Sequence, residues 1–351
     1  MEQEIFGRTA EGQEVDLFTL KNKTGVETKI TNYGGRIVTL LVPDRNSVSD
    51  DIVLGYDRLD QYLDENPYFG SLVGRCANRI EKARFHLDGV EHKLSQSDGE
   101  HHSHGGFKGF DKVIWNANAT VKDGEKQLEL RYLSKDGEEG YPGNLSVMVQ
   151  YALTENNELI IHYIAETDKA TIVSLTNHTY FNLSGHDSGD VLHQEIMIDA
   201  DNYTEIAKGR YTTGRYIDVE GTPMDFRKAV KIGLRMFEEN QQLTWAIGGY
   251  DLNWVLNKQE QTAEKVIELF DPHSGRLMEV DTTLPGVQFY VGNKLKTGLK
   301  GKNGALYQPY SGLCLETQYF PNAANHPHFP TPVLRPGERY DHTTVYRFKI
   351  R

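Results

Sequence analysis

The chain has 351 residues, is 38% hydrophobic and 25% charged, and carries a formal net charge of -12. That acidic balance argues against a nucleic-acid surface or an anionic-membrane partner, both of which need basic patches, and it disfavours a heavily phosphorylated substrate. No run approaches the ~18 apolar residues of a membrane span.

Length alone suggests roughly two domains of ~150 residues. Cys76 and Cys314 lie far apart in apolar surroundings and read as buried thiols of a reducing compartment. The opening Met1-Glu-Gln-Glu-Ile-Phe6 lacks the basic and apolar regions of a signal peptide, so a cytoplasmic location is expected.

Strand and turn signals run from end to end. Residues 59–63 are a short helix candidate. Residues 85–94 set Asp88-Gly89 between two alternating arms, a strong hairpin signal. Residues 128–133 and 145–153 alternate, and 159–165 follow the Asn156-Asn157 turn. Residues 229–239 are amphipathic and preceded by Asp225 as a cap, which predicts a second helix. Residues 266–270 and 276–280 flank the turn at 271–275, and a further strand follows Pro285. No linker, charge block or repeat divides the chain. The pattern predicts an all-β fold: one large antiparallel β-sandwich over residues 1–351, with few short helices.

Residues 174–183 carry an unusual polar face. With a period of two, Val173, Leu175 and Phe181 point one way; Ser174, Thr176, His178, Tyr180 and Asn182 point the other. One imidazole among hydroxyls and an amide reads as the floor of a polar pocket, the alternative being a half-exposed strand that meets water. Glu316 stands in the apolar run at 312–320. Desolvation there raises its pKa and makes it a better base than a solvated carboxylate, unless an arginine pairs with it structurally.

The stretch at 99–111 contains His101, His102 and His104 before Gly105-Gly106. Paired glycines let backbone approach a ligand closely. No carboxylate or cysteine completes a metal set at recognisable spacing, so no metal is expected, and His101 and His102 read as solvated loop residues. Asn78 and Arg79 offer an amide and a donor fork suited to a ring oxygen and hydroxyls. Asp251, beside aromatics, suits sugar hydroxyls.

Taken in order, these stretches resemble a family. Asn78-Arg79, His104-Gly-Gly with the following Gly-Phe-Asp-Lys, Glu138-Glu-Gly-Tyr-Pro-Gly143, Asn177-His-Thr-Tyr-Phe-Asn-Leu183, Pro285-Gly-Val-Gln-Phe-Tyr290, Leu315-Glu-Thr-Gln318 and Leu334-Arg-Pro-Gly-Glu338 are similar to the motifs of the aldose 1-epimerases, the galactose mutarotases. The likeness runs from about Gly34 to Phe348, and its specificity comes from the order, since each motif is weak singly. It implies a galactose mutarotase-like supersandwich that interconverts the α and β anomers of galactose or glucose without a cofactor.

Carried over, the resemblance makes Glu316 the general base and His178 the general acid. It makes Asn78, Arg79, His104, Tyr180, Asp251 and Gln288 substrate ligands. The partner is then a small aldohexose, and the chain a monomer or weak homodimer. His178 has to be protonated, so an upward pKa shift from an ionised Glu316 or Asp251 is expected. Leu252 and Ser103 depart from the family pattern and leave the preferred sugar less defined. The rivals are a non-catalytic carbohydrate-binding sandwich, a glycoside hydrolase using Glu316 with Asp251, and a hexose-phosphate mutarotase.

Overall fold

The computed structural model describes residues 1–64, 67–122, 125–259 and 261–351. The alternating stretches pair into three main sheets. A nine-stranded sheet runs in the order Asn116–Lys122, Glu125–Ser134, Leu145–Leu153, Glu158–Thr167, Tyr340–Ile350, Arg276–Thr282, Glu264–Phe270, Glu195–Ile198 and Val230–Lys231. A six-stranded sheet runs Tyr180–Phe181, Leu313–Gln318, Gly286–Tyr290, Asp251–Val255, Asn202–Ile206 and Thr212–Asp218. A five-stranded sheet at the N-terminal end keeps sequence order from Glu2–Arg8 to Ser49–Asp51. Neighbouring strands in these sheets pair antiparallel.

Turn chemistry fixes the registers. Asp88 and Gly89 take φ of 50° and 80°, the left-handed pair that a two-residue hairpin turn requires, and join Arg84–Leu87 to Val90–Lys93. The expected hairpin around Asp271 and the helix Leu59–Leu63 also form.

Leu128, Val147, Tyr151, Ile161 and Phe348 from the nine-stranded sheet meet Leu252, Trp254, Phe289, Leu313 and Leu315 from the six-stranded sheet in one buried cluster. The Tyr346 hydroxyl donates to the Leu315 carbonyl across this layer at 3.3 Å. The six-stranded sheet therefore gives one face to the core. By the period of two, its other face carries Asp251 and Asn253, then Gln288 and Tyr290, then Cys314, Glu316 and Gln318. Among the described residues, no helix is long and apolar enough to cross a membrane.

Three expectations need correction. Residues 229–239 do not form a helix: Val230–Lys231 adds an edge strand beside Glu195–Ile198, and only a short 3-10 turn, Ile232–Leu234, follows. The Asp225 carboxylate is held by Arg227 instead of capping a helix. The second short helix is Gln241–Trp245, capped by the Asn240 side chain, which accepts from the Gln242 and Leu243 amides.

Residues 174–183 are not one continuous strand. Thr176–His178 pairs with Ser71–Val73, whereas Tyr180–Phe181 pairs with Leu313–Gln318. Asn177 makes the break: its side-chain oxygen accepts from the Thr179 amide at 3.1 Å, and its NH2 donates to the Gly70 carbonyl at 2.9 Å. Both faces of the stretch are buried, because each half is covered by a different neighbour.

Finally, His101 and His102 are buried, not solvated. His102 is held between the Ser95 carbonyl, at 2.8 Å, and the Tyr141 hydroxyl, at 2.7 Å, while His101 Nδ1 accepts from the Lys82 amide at 3.1 Å.

Asn177→Ala is expected to orphan the Thr179 amide, costing about 1–3 kcal/mol for the unsatisfied group, while the Gly70 carbonyl keeps its bond from the Ile37 amide. Urea unfolding measures this loss. Unchanged stability would show that the break does not depend on Asn177.

Candidate active site

Three chain segments meet over the polar face of the six-stranded sheet. His178 comes from the end of Thr176–His178, and Glu316 from the middle of Leu313–Gln318. His178 Nε2 lies 3.6 Å from Glu316 Oε1, with side-chain exposures of 6% and 2%. The other sequence-derived candidates surround this pair. Gln288 is registered directly opposite Glu316, and it donates to Asp251 Oδ1 at 2.8 Å. The His104 ring lies 5.4 Å from that of His178. Asn78 donates its backbone N–H to His104 Nδ1 at 3.3 Å, and its side-chain oxygen accepts from the Arg79 amide at 2.8 Å. Tyr180 stacks behind His178, its ring 5.1 Å away.

The glycines after His104 act differently from the expectation. Gly105 and Gly106 have φ of 86° and 107°. A side chain at Gly105 would strike the Gly74 carbonyl, and one at Gly106 would strike the Glu139 carboxylate. Gly105 lets backbone approach backbone beside His104, and Gly106 leaves room for the Glu139 carboxylate. The stretch at 138–143 is structural as well, since the Pro142 carbonyl accepts from the buried Arg75 guanidinium at 2.9 Å.

Several neighbours were not singled out from the sequence. Lys294 pairs with Asp251 Oδ2 at 2.8 Å and lies 4.8 Å from the Tyr290 ring centre. Asp98 accepts from Arg79 Nε at 2.7 Å and so aims the guanidinium. The Tyr68 ring lies over both His104 and His178, at 4.9 and 5.6 Å. Cys314 Sγ sits 3.4 Å from His178 Nδ1. Asn253 and Gln318 complete the polar face, and period two from Asp251 and from Glu316 would have found both. Lys294 and Asp98 lie in loops, where no period points to them.

Burial dominates the electrostatics. It pushes the Glu316 carboxyl well above its ordinary range, helped by the charge of Asp251. It lowers His178 to about 3, opposite to the upward shift expected from the sequence. A backbone hydrogen bond and the charge of Asp251 favour the protonated ring, but desolvation outweighs them. Burial also lowers His104, and the neighbouring His178 adds to this. For Asp251 burial acts upward, but Lys294 and Arg79 together overcome it and keep the carboxylate ionised. The site thus favours a neutral acid–imidazole pair beside an ionised Asp251.

Glu316 Oε2, Gln288 Oε1 and both amide atoms of Asn253 and of Gln318 are buried without a hydrogen-bond partner. Buried polar atoms are normally satisfied, so this face is built to receive a polar ligand or ordered water. A metal ion is poorly matched, although His104, His178 and Glu316 bring ligand atoms within 4.8 Å of one another. His104 Nδ1 accepts the Asn78 N–H, so the neutral ring carries its proton on Nε2 and presents a donor where a metal needs a lone pair.

The buried carboxyl and imidazole stand on a face of unpartnered amides, a chemistry suited to acid–base work on a polyhydroxyl ligand. The aldose 1-epimerase family model matches residues 16–347, and the chain belongs to that family. A galactose mutarotase from Bos taurus is 44% identical over 96% of this chain and 94% of its own length. An aldose 1-epimerase from Escherichia coli K12 is 34% identical, covering 96% of both chains. The crystal structure of a galactose 1-epimerase from Lactobacillus acidophilus superposes with a TM-score of 0.87 at 25% identity, over 99% of this chain and 98% of that one. The protein is therefore an isomerase that interconverts sugar anomers.

In the free protein, His178 is expected to stay neutral across roughly pH 5–8, the window in which an unperturbed imidazole changes charge. Nitrogen-15 NMR of the ring reads this directly, and a titration midpoint near ~6.5 would contradict the role given to burial.

Proposed function

We propose that the substrate is galactose or glucose, with Glu316 as base and His178 as acid. The observation that carries this reading is the 3.6 Å approach of two buried side chains on a face of unpartnered polar atoms. Mutarotation removes a proton from the C1 hydroxyl and delivers one to the ring oxygen. Both oxygens are bonded to C1, so base and acid must stand beside each other.

The pair holds one exchangeable proton in either of two forms, neutral Glu316 with neutral His178, or carboxylate with imidazolium. Burial favours the first. Lys294 and Arg79 favour the carboxylate, Asp251 favours the imidazolium, and bound hydroxyls bring the second form within reach. Glu316 then takes the O1 proton while His178 protonates O5, and the C1–O5 bond breaks. Rotation about C1–C2 and reversal of both transfers close the ring on the other face.

His104, fixed as an Nε2–H donor, and Arg79, aimed by Asp98, stabilise charge developing on the ring oxygen. Asn78, Asp251 and Gln288 hold the remaining hydroxyls, and Tyr180 backs the His178 ring. Asp251 is engaged by Lys294 and Gln288, which leaves it poorly suited to be the second carboxylate of a hydrolase. The acidic balance of the chain weighs against a hexose phosphate. We further read the chain as one cytoplasmic domain, monomeric or weakly dimeric, a placement supported by the two buried free thiols.

Polarimetry of freshly dissolved α-galactose tests the assignment. Glu316→Gln is expected to fold normally and to lose about 10²–10⁴ of the catalysed rate; a variant retaining most of that rate would refute the base. His178→Asn should depress kcat more than it raises KM. If affinity fell while turnover per bound sugar held, His178 would be a ligand and not the acid. A pure binder would leave the spontaneous rate unchanged, and a hydrolase would release sugar from a glycoside.

A further inference from the structure

The hairpin joining Glu264–Phe270 to Arg276–Thr282 turns through Asp271, whose side chain is fully buried. Asp271 Oδ1 accepts from the His273 backbone amide at 3.2 Å and lies 3.0 Å from His193 Nε2. Its Oδ2 accepts from the Ser274 amide and the Ser184 hydroxyl, both at 2.9 Å. Among the described residues it makes no ion pair with a lysine or arginine. Arg276, close by, commits its guanidinium to the carbonyls of Val42, Leu183 and Val48. The His193 and His273 rings stack beside the carboxylate, 4.3 Å apart and 16° from parallel.

We propose that His193, Asp271 and His273 bind one imidazole-seeking divalent cation of the zinc, nickel or copper class. Their ligand atoms all lie within 4.8 Å of one another. The adjoining cavity of about 320 Å³, lined by Asp44, Asp50, Ser184, His273 and Arg276, has room for water ligands, and its two carboxylates add negative potential.

In this structure His193 Nε2 donates to Asp271 Oδ1 and lies 3.1 Å from the Ser184 hydroxyl, whereas Nδ1 has no hydrogen-bond partner among the described residues. Ion binding at Nε2 therefore requires the ring proton to move to Nδ1, which has nothing to displace. The ligand set of two imidazoles and one carboxylate suits borderline cations, whereas magnesium and calcium prefer oxygen alone. The ion would clamp the loop entering Glu195–Ile198 to the hairpin and stabilise the folded chain by mass action.

The test is titration of the tag-free protein with zinc chloride and nickel chloride by calorimetry and thermal unfolding, with magnesium chloride as the control. One zinc per chain, a raised Tm and an unchanged mutarotation rate are expected. His193→Ala and His273→Ala, both outside the sugar site, should each weaken zinc binding by about tenfold or more and leave the rate of the metal-free protein intact. Absence of saturable zinc binding would overturn the proposal. So would zinc binding that persists in the double variant, or inhibition by zinc that persists there, since the ion would then sit on His178 and Glu316.

Discussion

The structure depends on keeping one carboxyl and one imidazole together out of water. Glu316 stands on the second strand of its sheet, which pairs through Glu316 with Gly286–Tyr290 and at its start with Tyr180–Phe181. The opposite face of that strand supplies Leu313 and Leu315 to the core, which fixes its register. A one-residue slip would turn those leucines onto the polar face and drive Glu316 into the sandwich. The geometry of the proposed site and the core packing are thus set by the same alternation.

The second side chain arrives by another route. His178 ends a short strand belonging to a different pairing, and the Asn177 turn lets the chain change partners within two residues. Seating on His104, Tyr68 and Tyr180 then orients the imidazole. The surrounding charges are distributed with care for burial. Asp98 engages Arg79 and Lys294 engages Asp251, so each charged residue in the wall faces an opposite charge. Between them, Glu316 and His178 are left to share one proton in a neutral or a charged form.

Much of this was legible in the sequence, for identifiable reasons. Strands with one buried face announce themselves by period two, and Asp88-Gly89 by the turn it demands. The apolar run around Glu316 gave away its burial, and ordered motifs gave away the family. What failed had the same root in each case: tertiary contacts overrode a local pattern. Residues 229–239 have helical spacing, yet Val230 finds a strand edge beside Ile196. Residues 174–183 alternate cleanly, yet Asn177 redirects them. His101 and His102 read as solvated because nothing local reveals that Tyr141 and the Lys82 amide wait to receive them. The sign of the His178 shift was misjudged because nearby carboxylates can be counted in a sequence, whereas desolvation depends on depth.

That reversed sign alters how the reaction uses burial. A buried ion pair is costly, so holding His178 charged beside an ionised Glu316 would be strained. If the two act as proposed, however, ring opening gives the carboxylate the O1 proton and takes the imidazolium's proton to O5. The step converts the charged pair into the neutral one. Desolvation, which opposes the charged form before the step, therefore favours the open-chain state that follows it. Closure on either face must rebuild the charged pair, so the same penalty opposes closure to the α and the β anomer alike. Because the penalty is the same on both faces, burial of the pair leaves the anomeric ratio unbiased, as a catalyst of an equilibrium between two sugars requires.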